Sequence, residues 1–311
     1  MSNTGVNKWP ILNYETLKDT IANVHMWTQM IGKIRLVQTP WINHSWHVTL
    51  YISATGLTTG SIPYHDGTFQ IDLDFISHQL HITTSTGKTC HFKLGAFTVA
   101  SFYDQLFNSL QTVGINVEIS AIPNEVDPAI PFRENNQPAT YNAGVMNNYW
   151  QALVKINNVF TEFRAGFSGK CSPVHLFWGA FDLAVTRFSG RTAPKHPGGA
   201  PNIPLEVMQE AYSHEVSSCG FWPGSDQFPQ PAFYSYCYPT PGDFGSQKVS
   251  PPEAFYDTTM GEFFLTYDVV QQAANPEKTL LQFMQSTYDA AARTGNWNSN
   301  LQCDFSDLKN S

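Results

Sequence analysis

The sequence predicts an α+β protein of two related halves, each an antiparallel four-stranded meander flanked by helices. Three observations carry that expectation. A pattern occurs twice: a helical stretch runs into Gly32-Lys33 and later into Gly169-Lys170, and a histidine-bearing strand follows each, His44–Tyr51 and His175–Asp182. Each copy then passes through strand-like runs to a closing amphipathic helix, Phe102–Val113 and Pro276–Arg293. Between the copies lies a segment with prolines at 123, 128, 131 and 138, a natural join. The expected organisation is therefore a first repeat over 1–122, a proline-rich connector over 123–140 and a second repeat over 141–311.

The elements follow in order. Tyr14–Ile31 reads as a helix, with Leu17, Ile21, Val24 and Met30 on a rough apolar stripe. Gly32 then reads as its C-cap, with Lys33 near the negative helix end. From His44 to Ile52 residues alternate, which sets Trp46, Val48, Leu50 and Ile52 against His47, Thr49 and Tyr51. Phe69–Phe75 alternates likewise, with Asp72 and Asp74 outward. Leu80 and Ile82 oppose His81, and Phe92 and Leu94 oppose His91, with Gly87-Lys88 as the turn between. Ile115–Ile122 suggests a further strand.

The second half opens on a helix over Tyr141–Phe167, rich in Trp150, Leu153, Ile156 and Phe160. Strands are expected over Val174–Phe188, Tyr212–Phe221, Ala232–Tyr238 and Glu262–Val269. Apolar residues occupy both parities there, as in strands covered on both faces. The stretches around Gly198-Gly199, over Phe221–Pro231 and over Pro239–Pro252 read as long loops, which often carry function.

Composition narrows the function classes. Of 311 residues 42% are hydrophobic and only 14% charged, so a sizeable core is available and a disordered chain is excluded. The net charge of -8 and the absence of Lys/Arg runs argue against nucleic acid as a partner. No apolar run approaches a membrane span, and the first residues lack a secretory pattern. Five scattered cysteines, none in a C-x-x-C pair, read as free thiols in a reducing compartment, which makes a cytoplasmic location the expectation.

The run from Gly169 through Trp178-Gly179-Ala180-Phe181-Asp182 to Arg191 forms a long signature. With Trp27–Arg35 and with His214-Glu215-Val216-Ser217 before Gly220-Phe221-Trp222-Pro223-Gly224, it resembles a mostly bacterial family catalogued as domain of unknown function 5996. The resemblance spans nearly the whole chain. It implies no activity, cofactor or catalytic residue.

Several constellations could carry chemistry. His47-Val48-Thr49-Leu50 fits the H-x-[ST]-apolar element of two-histidine phosphodiesterases, in which each lobe supplies one histidine as acid or base. His175-Leu176-Phe177 would be the partner, although Phe replaces the hydroxyl; structural histidines are the competing reading. His47, Asp72, Asp74, His81 and His91 are weak metal candidates, against a plain solvated sheet face, and no metal or cofactor is expected.

Asp182, Arg187, Arg191, His214 and Glu215 stand in a stretch otherwise poor in charge. They suggest ion pairs, or an anion-binding cleft in which Arg holds the anion and His214 with Glu215 moves a proton. Lys33 and Lys170 could be matched anion contacts. Trp178 and Trp222, with Phe221, Phe233, Tyr234, Tyr236 and Tyr238, suggest an aromatic-walled pocket. The leading expectation is a small anionic ligand held by second-half residues. The alternatives are a metal-independent phosphodiesterase using His47 and His175, or an interaction protein with no catalytic site.

Overall fold

In the computed structural model of the protein, residues 9–303 are described; the outer ends of the two expected halves, 1–8 and 304–311, lie outside them. In chain order come α1 (Tyr14–Gln38), β1 (Tyr51–Ile52), β2 (Gly56–Thr58), β3 (Ile62–Tyr64), β4 (Gly67–Asp74), β5 (Gln79–Thr84), β6 (Thr89–Lys93) and α2 (Val99–Thr112). The second half holds α3 (Ala143–Ala165), β7 (His175–Phe177), β8 (Asp182–Thr192), α4 (Leu205–Ala211), β9 (His214–Trp222) and β10 (Ala232–Tyr238). It closes with β11 (Phe255–Asp257), β12 (Glu262–Thr266), α5 (Tyr267–Gln272) and α6 (Pro276–Thr294). Each half contributes one antiparallel sheet of six strands, so the α+β architecture of two similar halves holds. The sheets are larger than the four-stranded meanders expected, because short edge strands add to each.

The first sheet runs β1-β2-β4-β5-β6, with β3 sharing an edge of β4. Its alternation is the expected one: Phe69, Ile71, Leu73, Leu80 and Ile82 are buried, while Asp72, His81 and His91 stand in one cross-strand row on the other face. The second sheet runs β11-β12-β10-β9-β8-β7. The Leu50 and Leu176 backbones exchange hydrogen bonds of 2.9 and 2.8 Å, tying the end of the first sheet to β7. The long helices begin where asparagine or threonine side chains cap them: Asn13 for α1, Thr98 for α2, Asn142 for α3 and Asn275, followed by Pro276, for α6. No helix among the described residues is long and apolar enough to cross a membrane.

Five sequence expectations are corrected. Gly32 does not cap α1, which continues to Gln38; the space above its bare backbone is filled by the Trp178 ring, 2.1 Å from where a Cβ would stand. Gly169 is no cap either, since α3 ends at Ala165 with Gly166 at the cap. His44–Thr49 is not a strand: His44 and Ser45 take positive φ in a 3₁₀ turn, and His47 and Thr49 are as buried as Val48 and Leu50. Alternation there records no inside and outside. Residues 115–122 form no strand, and Val174–Phe188 is two strands with a turn over 178–181.

Arg35 holds this irregular stretch in place. The side chain, buried with its residue 7% exposed, donates from Nε to the His47 carbonyl at 2.9 Å and from one terminal nitrogen to the Thr49 carbonyl at 2.6 Å and to the Thr59 carbonyl. A buried cation that serves three carbonyls cannot be removed without orphaning them. Arg35→Met is expected to lower stability by roughly 3 kcal/mol or more, read from the urea midpoint. A loss below about 1 kcal/mol would show that water replaces the guanidinium.

Candidate functional site

The second sheet separates the charges that its sequence places close together. Along β8, Leu183, Val185 and Arg187 face α3 and α6, whereas Asp182, Ala184, Thr186 and Phe188 face a cavity of about 840 Å³. Neighbouring strands continue that floor. Thr186 pairs with Ser218, Ser218 with Tyr236, and Glu262 follows on β12, one step beyond the Ser235–Phe263 pair. A polar row therefore crosses four strands. The next row reads Ala184, Gly220, Tyr234 and Phe264.

Gly220 is required there: a Cβ would lie 2.1 Å from the Tyr234 ring, which crosses the bare backbone so that its hydroxyl donates to Asp182 Oδ2. The Tyr212 and Tyr236 hydroxyls meet at 2.9 Å, and those of Thr186 and Ser218 also at 2.9 Å.

The roof comes from elsewhere in the chain. On α1, His25, Gln29, Gly32, Lys33 and Leu36 follow helical spacing along one side. His25 Nε2 donates to the Gly179 carbonyl at 2.8 Å, and Gln29 bridges the Asn124 and Trp178 backbones. Lys33 Nζ donates to Asn124 Oδ1 and lies 5.6 Å from the Trp178 ring centre. Glu125 stands at φ +56, its carboxyl set against Gly179, where a Cβ would be 1.9 Å from Oε1. The remaining walls are Trp41, Trp46, Trp178, Trp222, Phe177, Phe188 and the α4 segment, and the mouth passes the half-exposed Trp41 and Met260. Among the described residues eight non-glycine residues have positive φ, and four of them, His44, Ser45, Glu125 and Asn202, line this one cavity.

Three carboxyls face it without a cation. Burial pushes Asp182 up to about 6; burial, then the charge of Asp182, pushes Glu125 and Glu262 each up to about 7. Among the described residues no lysine, arginine or histidine pairs with any of them. Burial lowers Lys33 to about 8. At another wall, Lys170 Nζ donates to His44 Nε2 at 2.6 Å and lies over the Trp46 and Phe188 rings, while His44 Nδ1 donates to the Ala211 carbonyl at 2.9 Å.

The residues singled out from the sequence divide accordingly. Asp182, Lys33, Trp178 and Trp222 line the cavity, and Lys170 abuts it through His44. Arg187 lies on the opposite face of the sheet, fully buried, its guanidinium 3.5 Å from the Phe163 ring centre and 4.4 Å from that of Tyr288. Arg191 and Glu215 form an ion pair of 2.7 Å, and Arg191 also donates to the Gly295 and Asn296 carbonyls just past α6. His214 sits edge-on to His44, ring centres 5.9 Å apart. Phe221 and Phe233 belong to the core; Tyr234 and Tyr236 to the cavity.

His47 and His175 are each 1% exposed, and neither lines the cavity. Burial takes His175 down to about 3, so it stays the uncharged imidazole near neutrality. Asp74 caps the turn amides of Ile76 and Ser77, and Asp72 accepts from Gln70. Among the described residues no group of three or more His, Cys, Asp or Glu side chains could hold a metal ion. Sequence reasoning missed Glu125, Glu262, Thr186 and Ser218. The parity of β8 and the glycines at 179 and 220, each opposite a large side chain, were the available signals.

Two sheet-bearing halves around an aromatic-walled cavity with a cluster of unpaired acids define the architecture as α+β. The chain belongs to the family of unknown function, domain of unknown function 5996, which matches it over residues 9–303. No curated protein and no solved structure matches it.

The acids make a pH prediction. Their folded pKa values are raised, so the folded state holds these protons more tightly than the unfolded chain does. The resulting stability is full below the ordinary carboxylate range and is lost as pH climbs through about 6 and 7. Asp182→Asn, which mimics the protonated carboxyl, is expected to be near neutral at pH about 4 and to stabilise by about 1–3 kcal/mol at pH about 8. Equal effects at both pH values, by thermal or urea unfolding, would show that Asp182 does not titrate across this range.

Proposed function

We propose that the protein binds a small organic molecule with a flat, apolar body and polar groups of both kinds. An acceptor, a carboxylate or carbonyl oxygen, is held by Lys33, and a donor group faces Asp182 and the Thr186–Ser218–Tyr236–Glu262 row. The cavity carries this reading. Its volume of about 840 Å³ lies within the range of about 300–1,000 Å³ typical of small-molecule pockets, and its walls include four tryptophans with convergent polar groups between them. The anionic part of the ligand is thus assigned to Lys33, since Arg187 and Arg191 are spent on contacts behind and beside the sheet. The two-histidine phosphodiesterase draws no comparable support, because His47 and His175 are enclosed away from the cavity. The free thiols of all five cysteines support a reducing, cytoplasmic setting.

Ala184 lies on the cavity floor with no side-chain reach of its own, so Ala184→Phe fills the site from beneath. A flat aromatic anion such as anilinonaphthalene sulfonate is expected to bind the wild-type protein with enhanced fluorescence. Lys33→Met should weaken it roughly tenfold, the loss of one charge-assisted hydrogen bond. Ala184→Phe should abolish binding while the far-ultraviolet spectrum stays unchanged. Undiminished probe binding by a folded Ala184→Phe protein would place the ligand elsewhere.

A further inference from the structure

The cavity holds an amine that the ligand-binding reading uses only as a charge. Lys33 is 3% exposed, set in the middle of α1 rather than on a mobile loop. Its Nζ reaches the cavity and is fixed by the neutral Asn124 side chain, while Asn124 is itself clamped by Gln29 at its backbone and by the Asn202 carbonyl at its amide nitrogen. No carboxylate pairs with Lys33 among the described residues. The next residue after Asn124 is Glu125, a cavity-facing carboxyl held at positive φ with its oxygen against Gly179. An amine and a carboxyl are thus presented to one cavity by a long helix and a clamped loop.

We propose that Lys33 is a nucleophile that forms an imine with a carbonyl-bearing ligand, an aldehyde or ketone with an apolar body, and that Glu125 moves the protons of that step. The inference deepens the reading of this cavity as a small-molecule site and rests on it. The neutral amine attacks the carbonyl carbon through its lone pair. The C–N bond forms, the carbonyl π electrons pass to oxygen, and a proton moves from nitrogen to that oxygen to give the carbinolamine. Glu125 then protonates the hydroxyl, the C–O bond breaks, and water leaves as the nitrogen lone pair closes the C=N bond. The Glu125 carboxylate recovers its proton from the iminium nitrogen. Amine and carbonyl give imine and water, with no oxidant or reductant.

The same surroundings suit both groups to these tasks. Burial brings Lys33 down to about 8 and Glu125 up to about 7, so near neutrality the amine is partly unprotonated and the carboxyl partly protonated. Desolvation of a lysine among apolar walls is a recognised route to an amine nucleophile. The ring of Trp178, packed on Gly32, forms the wall beside Nζ.

The test uses the full chain, cinnamaldehyde as the carbonyl probe and cyanoborohydride to reduce any imine to a stable secondary amine, with peptide mass spectrometry as the readout. Lys33 is expected to be labelled at least tenfold faster than any other lysine. Glu125→Gln should slow labelling of Lys33 severalfold. Labelling of Lys33 no faster than that of surface lysines, in protein that still binds the sulfonate probe, overturns the imine and leaves the binding site standing. Failure of both overturns the site as well. Lys33→Arg, which keeps the charge but cannot form the imine, should lose the preferred adduct; an unchanged labelling pattern would also refute the proposal.

Discussion

The contact on which the cavity depends is the Trp178 ring lying against the bare backbone of Gly32. With a methyl group at Gly32 the ring would have to move, since the space between them is about 2 Å. Trp178 is held from the other side as well: its indole nitrogen donates to the Val48 carbonyl at 2.8 Å, and the Gln29 side-chain amide donates to its backbone carbonyl, tying it to the network around Asn124. One ring therefore joins α1, the irregular segment before β1 and the turn between β7 and β8. These three pieces, with the Asn124–Glu125 loop, form the roof over the second sheet. Close packing of this kind tolerates neither a void nor an added carbon, so the position of Lys33 one residue beyond Gly32 is fixed to a fraction of a helical turn.

The second sheet then sorts chemistry by parity. Residues of odd number on β8 meet α3 and α6, and here Arg187 spends its charge on the Phe163 carbonyl and three aromatic faces. Even-numbered residues meet the cavity, and Asp182 is among them. Five residues along one strand, an acid and a base that look like partners end on opposite sides of a sheet and cannot meet. The same rule keeps the acids of the cavity unneutralised. The pair that does form, Arg191 with Glu215, lies within the irregularity between Phe188 and Thr192, where the register with β9 shifts and strict alternation lapses.

How much of this was legible follows from the same physics. Long amphipathic helices and the β4–β6 meander announced themselves, because a single apolar face repeats at the period of the element. α1 was read seven residues short, since a glycine before a lysine looks like a helix end and nothing local shows that a tryptophan 146 positions away needs the space. The His44–Thr49 stretch alternated convincingly and is not a strand. What decides its conformation is Arg35, whose bonds to three carbonyls are tertiary. In the site, Asp182 was visible as a charge in an otherwise uncharged stretch, Lys33 through the repeated Gly-Lys pair, and Trp178 and Trp222 as aromatic wall candidates. Glu125 was not, because a proline-rich connector reads as a spacer until its backbone is seen clamped to α1 and to residues 201–202.

Strain and uncompensated charge point the same way. Positive φ at His44, Ser45, Glu125 and Asn202 costs each residue something, and a protein keeps such conformations only where the surroundings over-determine them. Three carboxyls raised by burial and by one another also work against the folded state near neutral pH. A chain selected for stability alone would replace Glu262 or Asp182 with an amide, or fill the floor at Ala184 and Ser218. Retaining both the space and the acids gathers these unfavourable terms around a single cavity, while Arg35 and Arg187 donate to backbone carbonyls elsewhere. The contrast separates Arg35 and Arg187, whose guanidinium groups hold carbonyls together elsewhere in the fold, from the carboxyls that share this one cavity.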